Sequence, residues 1–411
     1  MIRDFLSVVF LNLEMMMTFR LPPPNWPIED LKCEGHYFYE SVITELRGSR
    51  VEVEGRGEML MFSSYSYLDL LQHPRIDAAA IEAIRLFGTG THGVRLLAGT
   101  TLYHKRLEAR IAAFKQTEAA MVLSNGFLTN ATVIDALVGR GDYVISDKLN
   151  HASIVDGCQQ SGARFLRFDH NDIGRLDEFL QTLPSDSNKL VIADAVFSMD
   201  GDIFNLPAAV EVCRRRGAFL MIDEAHSLGV IGKTGRGIEQ HFAMPSDSVD
   251  VKMGTLSKAI PCIGGYIAGR AALIEVLKHR SRGYIYSASL PVGLVAAAEA
   301  AFDVLEEETW RVERLHDNDA FMKSELHKVG LSTHRSETAV IPIMCGTNKI
   351  ALDMAKLCQE KGLFIQAITA PVVPEGEARL RCIVTAAHSR EELRFAASVI
   401  ATAARELGVV P

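Results

Sequence analysis

Between residues 75 and 270, short apolar runs rich in Val, Ile and Leu alternate with segments of helical spacing, and this alternation constrains the fold more than any other feature. The runs AAMVLS, DYVIS, RFLRF, LVIADAVF, FLMID and GGYIAG read as strands. Between them, YHKRLEARIAAFKQ and LPAAVEVCRRRG place apolar residues on one helical face. Apolar strands separated by helices predict an α/β fold with a mostly parallel sheet covered on both sides. After Pro291 a long Ala- and Glu-rich helical stretch, VGLVAAAEAAFDVLEEE, introduces shorter strands and helices. The expected organisation is an N-terminal extension and arm over 1–70, a large domain over 71–295, and a smaller C-terminal α+β domain over 296–411.

A chain of 411 residues has room for a large core and a second domain. A net charge of −8 argues against binding nucleic acid or an anionic membrane through bulk electrostatics. The seven cysteines are scattered without a C-x-x-C pair, so neither a disulfide framework nor a metal site is expected, and a cytoplasmic setting fits. The apolar run at 5–11 is too short to span a bilayer and is interrupted by Asn12 and Glu14. It reads as a disordered or loosely docked extension. As a hypothesis, translation starts at Met15, Met16 or Met17, which intact-mass analysis of the natural protein tests.

Ligands of open α/β sheets bind beyond the carboxyl ends of the strands. Asp223 and His226 in LMIDEAHSLGVIG, residues 124–127 in LSNGF, and Ser198 all follow such ends. The DEAH string also occurs at helicase ATP sites, but that reading needs a phosphate loop upstream. Here Gly232-Lys233-Thr234 lies downstream, with Ser227 where the loop's first glycine belongs. GTGTHG (Gly88, Gly90, Gly93) matches a dinucleotide fingerprint in the wrong context: PRIDAAAIEAIRLF before it is helical and VRLLAGT after it reads extended.

Other groups suit a phosphorylated carbonyl cofactor. A helix opening at Gly126 and Phe127 offers free N–H groups to a phosphate, although capping alone explains many such starts. Lys258, in MGTLSKAIPCIGGYIAG, has small and apolar neighbours rather than the charged ones of a surface lysine. A desolvated amine attacks carbonyls, and Thr255 and Ser257 beside it can bond a phosphate. His151 in LNHASIVDG is either structural or an imidazole lying on a ring. Arg379 and Arg381, in ARLRCIVTAAH, share one strand face and suit either a substrate carboxylate or a local acid. Lysine, phosphate cradle, aspartate at a strand end and flat-lying histidine together describe a pyridoxal phosphate site, with Asp223 on the pyridine nitrogen.

The segments NHASIVDGCQQSGA, VFSMDGDI, MIDEAHSLGVIGKTGRG, GTLSKA and LRCIVTAAH resemble, in order, the α-oxoamine synthase family of fold-type-I pyridoxal phosphate enzymes. The resemblance runs from about residue 38 to the C-terminus. It implies that Lys258 is the Schiff-base lysine and later the proton carrier, and that His151 stacks on the cofactor ring. It implies that Asp223 pairs with the pyridine nitrogen, while Ser198 and His226 contact the phenolic oxygen. Gly126, Phe127 and Thr255 would hold the phosphate, and Ser287 would reach the phosphate of a neighbouring subunit, because sites of this family lie between two chains of a homodimer. Arg381 would bind the amino-acid carboxylate.

The implied reaction is a Claisen-type condensation of a small amino acid with an acyl thioester, from coenzyme A or an acyl carrier protein, usually with loss of carbon dioxide. A transaminase or decarboxylase of the same fold and a non-catalytic partner subunit are the alternatives. Ser66-Tyr67-Leu68 departs from the family's Asn-Tyr-Leu, and Ala259-Ile260-Pro261-Cys262 replaces a Gly-rich run. Val94 and Leu96 argue against a succinyl donor and resemble the acetyl-transferring members. A Lys258→Ala variant is expected to fold but to lose covalent cofactor. Borohydride reduction with peptide mapping checks this, and a label on another amine rejects the assignment.

Overall fold

The computed structural model describes residues 28–410; the extension and the start positions considered at residues 15–17 lie outside them. Residues through Ser41 form a unit of their own. Its described part is the helix Ile28–Cys33 followed by a turn in which His36 N–H donates to Leu31 O at 2.7 Å.

The unit from Val42 onward opens with an antiparallel meander, β1 (Ile43–Arg47), β2 (Arg50–Val53) and β3 (Gly57–Met61). The strands that follow are β4 (Ala119–Leu123), β5 (Tyr143–Asp147), β6 (Arg164–Phe168), β7 (Lys189–Asp194), β8 (Phe219–Asp223), β9 (Val251–Ser257) and β10 (Pro261–Gly269). They build one seven-stranded sheet in the order β4-β10-β9-β8-β7-β5-β6. Five of these strands, β6, β5, β7, β8 and β9, run parallel, and β10 is antiparallel to both β9 and β4. The expected sheet is therefore present, with one reversed strand. Residues 258–260 alone join β9 to β10, and so short a connection can only reverse the chain.

Helices Leu102–Lys115, Gly126–Leu137, Ala152–Gln160, Ile173–Thr182, Leu206–Arg216 and Ala271–Arg280 alternate with the strands. Their starts are encoded locally: Asn125, His151, Asp172 and Asn205 each accept a backbone N–H of the first turn. Val133, Ile134 and Ile154 pack on Val144, Ile192, Met221 and Met253 of the sheet. Each such buried side chain contributes about 1.5–3 kcal/mol, an upper figure given residual burial in the unfolded chain.

The C-terminal region contributes β11 (Val340–Gly346), β12 (Leu363–Phe364), β13 (Gln366–Ile368) and β14 (Ala378–Ile383). β11, β14 and β13 form an antiparallel sheet, while β12 pairs in parallel with β3 and so joins the N-terminal meander. Residues 94–100 do not form the extended segment that their composition suggested. Val94 makes a single bridge to Ala288, and the N–H groups of Leu97 and Gly99 fold back to Val94 O at 3.1 and 2.9 Å. The turn requires glycine, because a Cβ at position 99 would lie 2.2 Å from Gly93 O. Among the described residues no helix is long and apolar enough to cross a membrane.

Buried ion pairs lie near the sheet, among them Lys115 Nζ–Glu224 Oε2 at 2.5 Å, with both side chains 2% exposed, and Lys252 Nζ–Glu239 Oε2 at 2.5 Å. Glu224 also accepts the Ile238 N–H at 3.1 Å, which ties the turn after β8 to residue 238. Lys115→Met is expected to lower unfolding free energy by about 3–5 kcal/mol, because it strands a buried carboxylate. Adding Glu224→Gln should recover most of that loss in urea denaturation.

Candidate active site

The candidate groups gather at the carboxyl edge of the parallel strands, around a cavity of about 230 Å³. Asp194 ends β7 and Asp223 ends β8, and the two are opposite one another in register. Asp223 accepts Asn130 Nδ2 at 2.6 Å and the Ala225 N–H at 2.8 Å. Asn130 donates also to Ser153 Oγ at 2.9 Å, and that hydroxyl bonds His151 Nδ1 at 2.8 Å. The backbone N–H of His151 donates to Asp194 Oδ2 at 3.0 Å. A continuous polar circuit thus links both strand-end carboxylates through two helix starts.

His226 follows β8 and is 6% exposed; its Nδ1 bonds Tyr67 Oη at 2.8 Å. Burial, then the Lys258 and Arg381 cations, hold its pKa well below the usual imidazole value, so it is neutral. Burial also lowers His151, against the pull of Asp223. Asp194 is pushed well above the usual carboxylate range, by burial first and then by Asp223. Lys258 lies just past β9, with its ammonium 5.4 Å from the Tyr65 ring. Burial pulls it down to about 8, and the Asp223 and Asp194 carboxylates only partly offset this. A sizeable neutral fraction near neutral pH suits a nucleophile and proton carrier.

The helix Gly126–Leu137 points its N-terminus at the same cavity. Asn125 caps it by accepting the Leu128 N–H at 2.8 Å, and the N–H groups of Gly126 and Phe127 have no intrahelical acceptor. A Cβ at Gly126 would sit 3.2 Å from Thr255 Oγ1 and 3.4 Å from Met253 Cε, filling the cradle. Arg379 and Arg381 differ in their partners. Arg379 is 1% exposed and pairs with Asp200 at 2.5 Å and Glu377 at 3.1 Å. Arg381 has no carboxylate partner among the described residues; it donates to Tyr65 Oη at 2.5 Å and to Ser198 O at 3.4 Å.

Lys258, His151, His226, Asp223, Gly126, Phe127, Ser198 and Thr255 therefore line one cavity, and Arg381 adjoins it through Ser198 and Tyr65. Ser287 is half-buried beyond the helix Arg282–Ile285 and does not line the cavity of a single chain. Sequence reasoning missed Asn130, Ser153 and Asp194. Asn130 interrupts an apolar helical run, and Asp194 ends its strand as Asp223 does, so both signals were present.

The loop bearing Ser198 is fixed by a second histidine. His170 Nδ1 bonds Asp147 Oδ1 at 3.1 Å and its Nε2 bonds Asp202 Oδ2 at 2.6 Å, with the Phe197 ring edge-on at 4.3 Å. The Phe197 N–H donates to Asp202 O at 3.1 Å, which closes the turn on either side of Ser198.

The donor set fits pyridoxal phosphate. Asn130 Oδ1 and Asp194 Oδ1 are buried without hydrogen-bond partners, and both residues line the cavity. A carboxylate, a lysine amine, an imidazole and a helix N-terminus beside a hydroxyl match the four faces of a pyridine aldehyde phosphate.

Comparison with known proteins agrees. The model of the family "Aminotransferase class I and II" matches residues 57–400. An 8-amino-7-oxononanoate synthase of Geobacter sulfurreducens is 42% identical over 385 residues, covering 93% of this chain and 98% of that protein. The 8-amino-7-oxononanoate synthase 1 of Bacillus velezensis is 43% identical, covering 89% and 93%. The solved serine palmitoyltransferase of Sphingomonas wittichii superposes with a TM-score of 0.90 at 33% identity, covering 93% of this chain and 97% of that one. The chain belongs to the aminotransferase class I and II family, as one of its α-oxoamine synthases of fold type I. It is a pyridoxal phosphate enzyme that condenses an amino acid with an acyl thioester, which displaces the transaminase, decarboxylase and non-catalytic readings.

Burial opposes a charge on His170, but the hydrogen bonds to Asp147 and Asp202 outweigh it and hold the pKa up to about 9. The folded value exceeds the unfolded one of about 6.5, so the stabilisation is complete below that value and lost as pH rises through about 9. The loss of stability in His170→Gln should therefore be largest at pH 6 and smaller by about 1–2 kcal/mol at pH 9.5, after discount for solvent screening, in paired urea titrations.

Proposed function

We propose that this enzyme joins alanine to a seven-carbon dicarboxylic acyl thioester and forms 8-amino-7-oxononanoate. The observation that carries the reading is the pair of relatives above 40% identity, over nearly the whole chain, that bear the name of that product. The product's own structure names the substrates. Its ketone adjoins a carbon bearing an amine and a methyl group, which is alanine without its carboxylate. The other seven carbons end in a carboxylate, so they derive from a diacid activated at one end. This replaces the leaning toward acetyl transfer drawn from Val94 and Leu96, which do not line the cavity.

In this reading Arg381 grips the amino-acid carboxylate, and substrate exchanges with the Tyr65 hydroxyl for its guanidinium. Lys258 Nζ takes the proton from the α-carbon. Pyridoxal phosphate, when bound, supplies an electron sink for the charge left on that carbon. Asp223, held by Asn130 and the Ala225 N–H, would keep a proton on the cofactor's pyridine nitrogen. His151 would cover its ring, and Ser198 and neutral His226 would bond its phenolic oxygen. Gly126, Phe127 and Thr255 would hold its phosphate. The α-carbon then bonds the thioester carbonyl carbon and the C–S bond breaks, and the departing thiolate takes a proton from solvent. The carboxylate leaves as carbon dioxide, and Lys258 returns a proton to the α-carbon.

A homodimer with shared sites and a cytoplasmic setting belong to the same proposal, as does the division of the chain near residues 70 and 295. Leu97 at 85% exposure, Leu86 at 66% and Leu102 at 65% give an apolar surface suited to a second copy, which would bring Ser287 to a neighbouring subunit's phosphate. Whether the acyl carrier is coenzyme A or a carrier protein is tested with the substrates. Purified holoenzyme is given alanine, serine or glycine with acyl thioesters of differing length and end group, and thiol release and product mass are followed. Alanine with the seven-carbon diacid thioester is expected to turn over fastest; preference for serine with a long-chain thioester rejects the proposal. Arg381→Ala should weaken alanine binding roughly 10- to 100-fold, the loss expected of a charge-assisted hydrogen bond.

A further inference from the structure

A second cavity, of about 660 Å³, lies at the opposite edge of the main sheet, where β7 begins at Lys189 and β8 begins at Phe219. No residue of the catalytic circuit lines it. Two of its polar side chains lack partners among the described residues. Lys189 is 6% exposed, and its ammonium has no hydrogen-bond or ion-pair partner among the described residues. Ser248 is likewise 6% exposed, and its hydroxyl is buried without a partner. An unpaired ammonium that opens onto the cavity, together with a buried hydroxyl that has no partner, offers a bound anion one charge and one hydrogen bond.

The remaining lining defines what kind of anion fits. Of the carboxylates present, Asp250 is committed to the Leu220 N–H at 2.9 Å, and Asp186 and Asp247 are exposed at the rim. Leu190, Leu220 and Val138 are at most 4% exposed and give the cavity apolar walls. We propose that this cavity is a binding site for a small organic carboxylate with an apolar body, its charge on Lys189 and Ser248 and its hydrocarbon against Leu190, Leu220 and Val138.

The proposal does not depend on the substrates assigned above. Octanoate is the probe, titrated into holoenzyme by calorimetry, with inorganic phosphate as a second arm. Saturable octanoate binding is expected in the wild type and equally in Arg381→Ala, which removes the carboxylate contact of the catalytic cavity. Lys189→Met should weaken it at least tenfold, and Ser248→Ala should weaken it severalfold. Octanoate should also raise the wild-type Tm but not that of Lys189→Met. Should Lys189→Met not fold, Ser248→Ala serves as the deciding variant. The proposal is overturned by unchanged affinity in the deciding variant, by absence of saturable binding in the wild type, or by phosphate binding as tightly as octanoate.

Discussion

An unslipped parallel ladder runs from β5 through β7 and β8 to β9, and it brings His151, Ser198, Asp223, His226 and Lys258 to one edge. Asp194 sits opposite Asp223, and Asp223 opposite Met253, two residues short of Thr255. A slip of one residue in any of these strands would turn its side chains to the other face and carry its functional end away from the rest. The hydrophobic sets that prevent slippage, such as Val144, Ile192 and Met221, lie on the same strands, just before the groups of the site. Core packing and site geometry are therefore one constraint met twice along the same strands.

Desolvation dominates the electrostatics once the groups are assembled. It lowers Lys258, His151 and His226 and raises Asp194, so the protein favours uncharged forms of groups that would all be ionised or half-ionised in water. At Asp223 the carboxylate accepts Asn130 Nδ2 and the Ala225 N–H, which replace water that burial removes. The result is an aspartate surrounded by donors beside an amine ready to shed its proton, a pairing that water alone would not provide.

Much of this was legible in the chain. The strand and helix alternation, the strand-end groups and the lysine follow from hydrophobic period and from where polar residues break it. β9 escaped notice because Lys252 and Gly254 interrupt its apolar pattern; Lys252 is tolerated there through Glu239 and the Ser246 carbonyl. The reversal at β10 depends on a three-residue turn, which a strand-by-strand reading passes over. Asn130 and Asp194 were visible as anomalies but gained meaning only when a helix and a neighbouring strand were folded onto the same edge. The choice between Arg379 and Arg381 depended on Asp200, nearly two hundred residues away. No local pattern carries such information.

Two of the enclosed ion pairs also bear on how this chain can change over generations. Lys115 and Glu224 come from segments far apart in sequence, and Lys252 and Glu239 from neighbouring ones, yet in each pair neither member tolerates the loss of the other. A lineage drifting one codon at a time meets a steep barrier at these four positions, although a charge swap or an apolar replacement of both members would be accommodated. Covariation between distant columns, rather than invariance at any single one, is the trace this architecture would leave among its descendants.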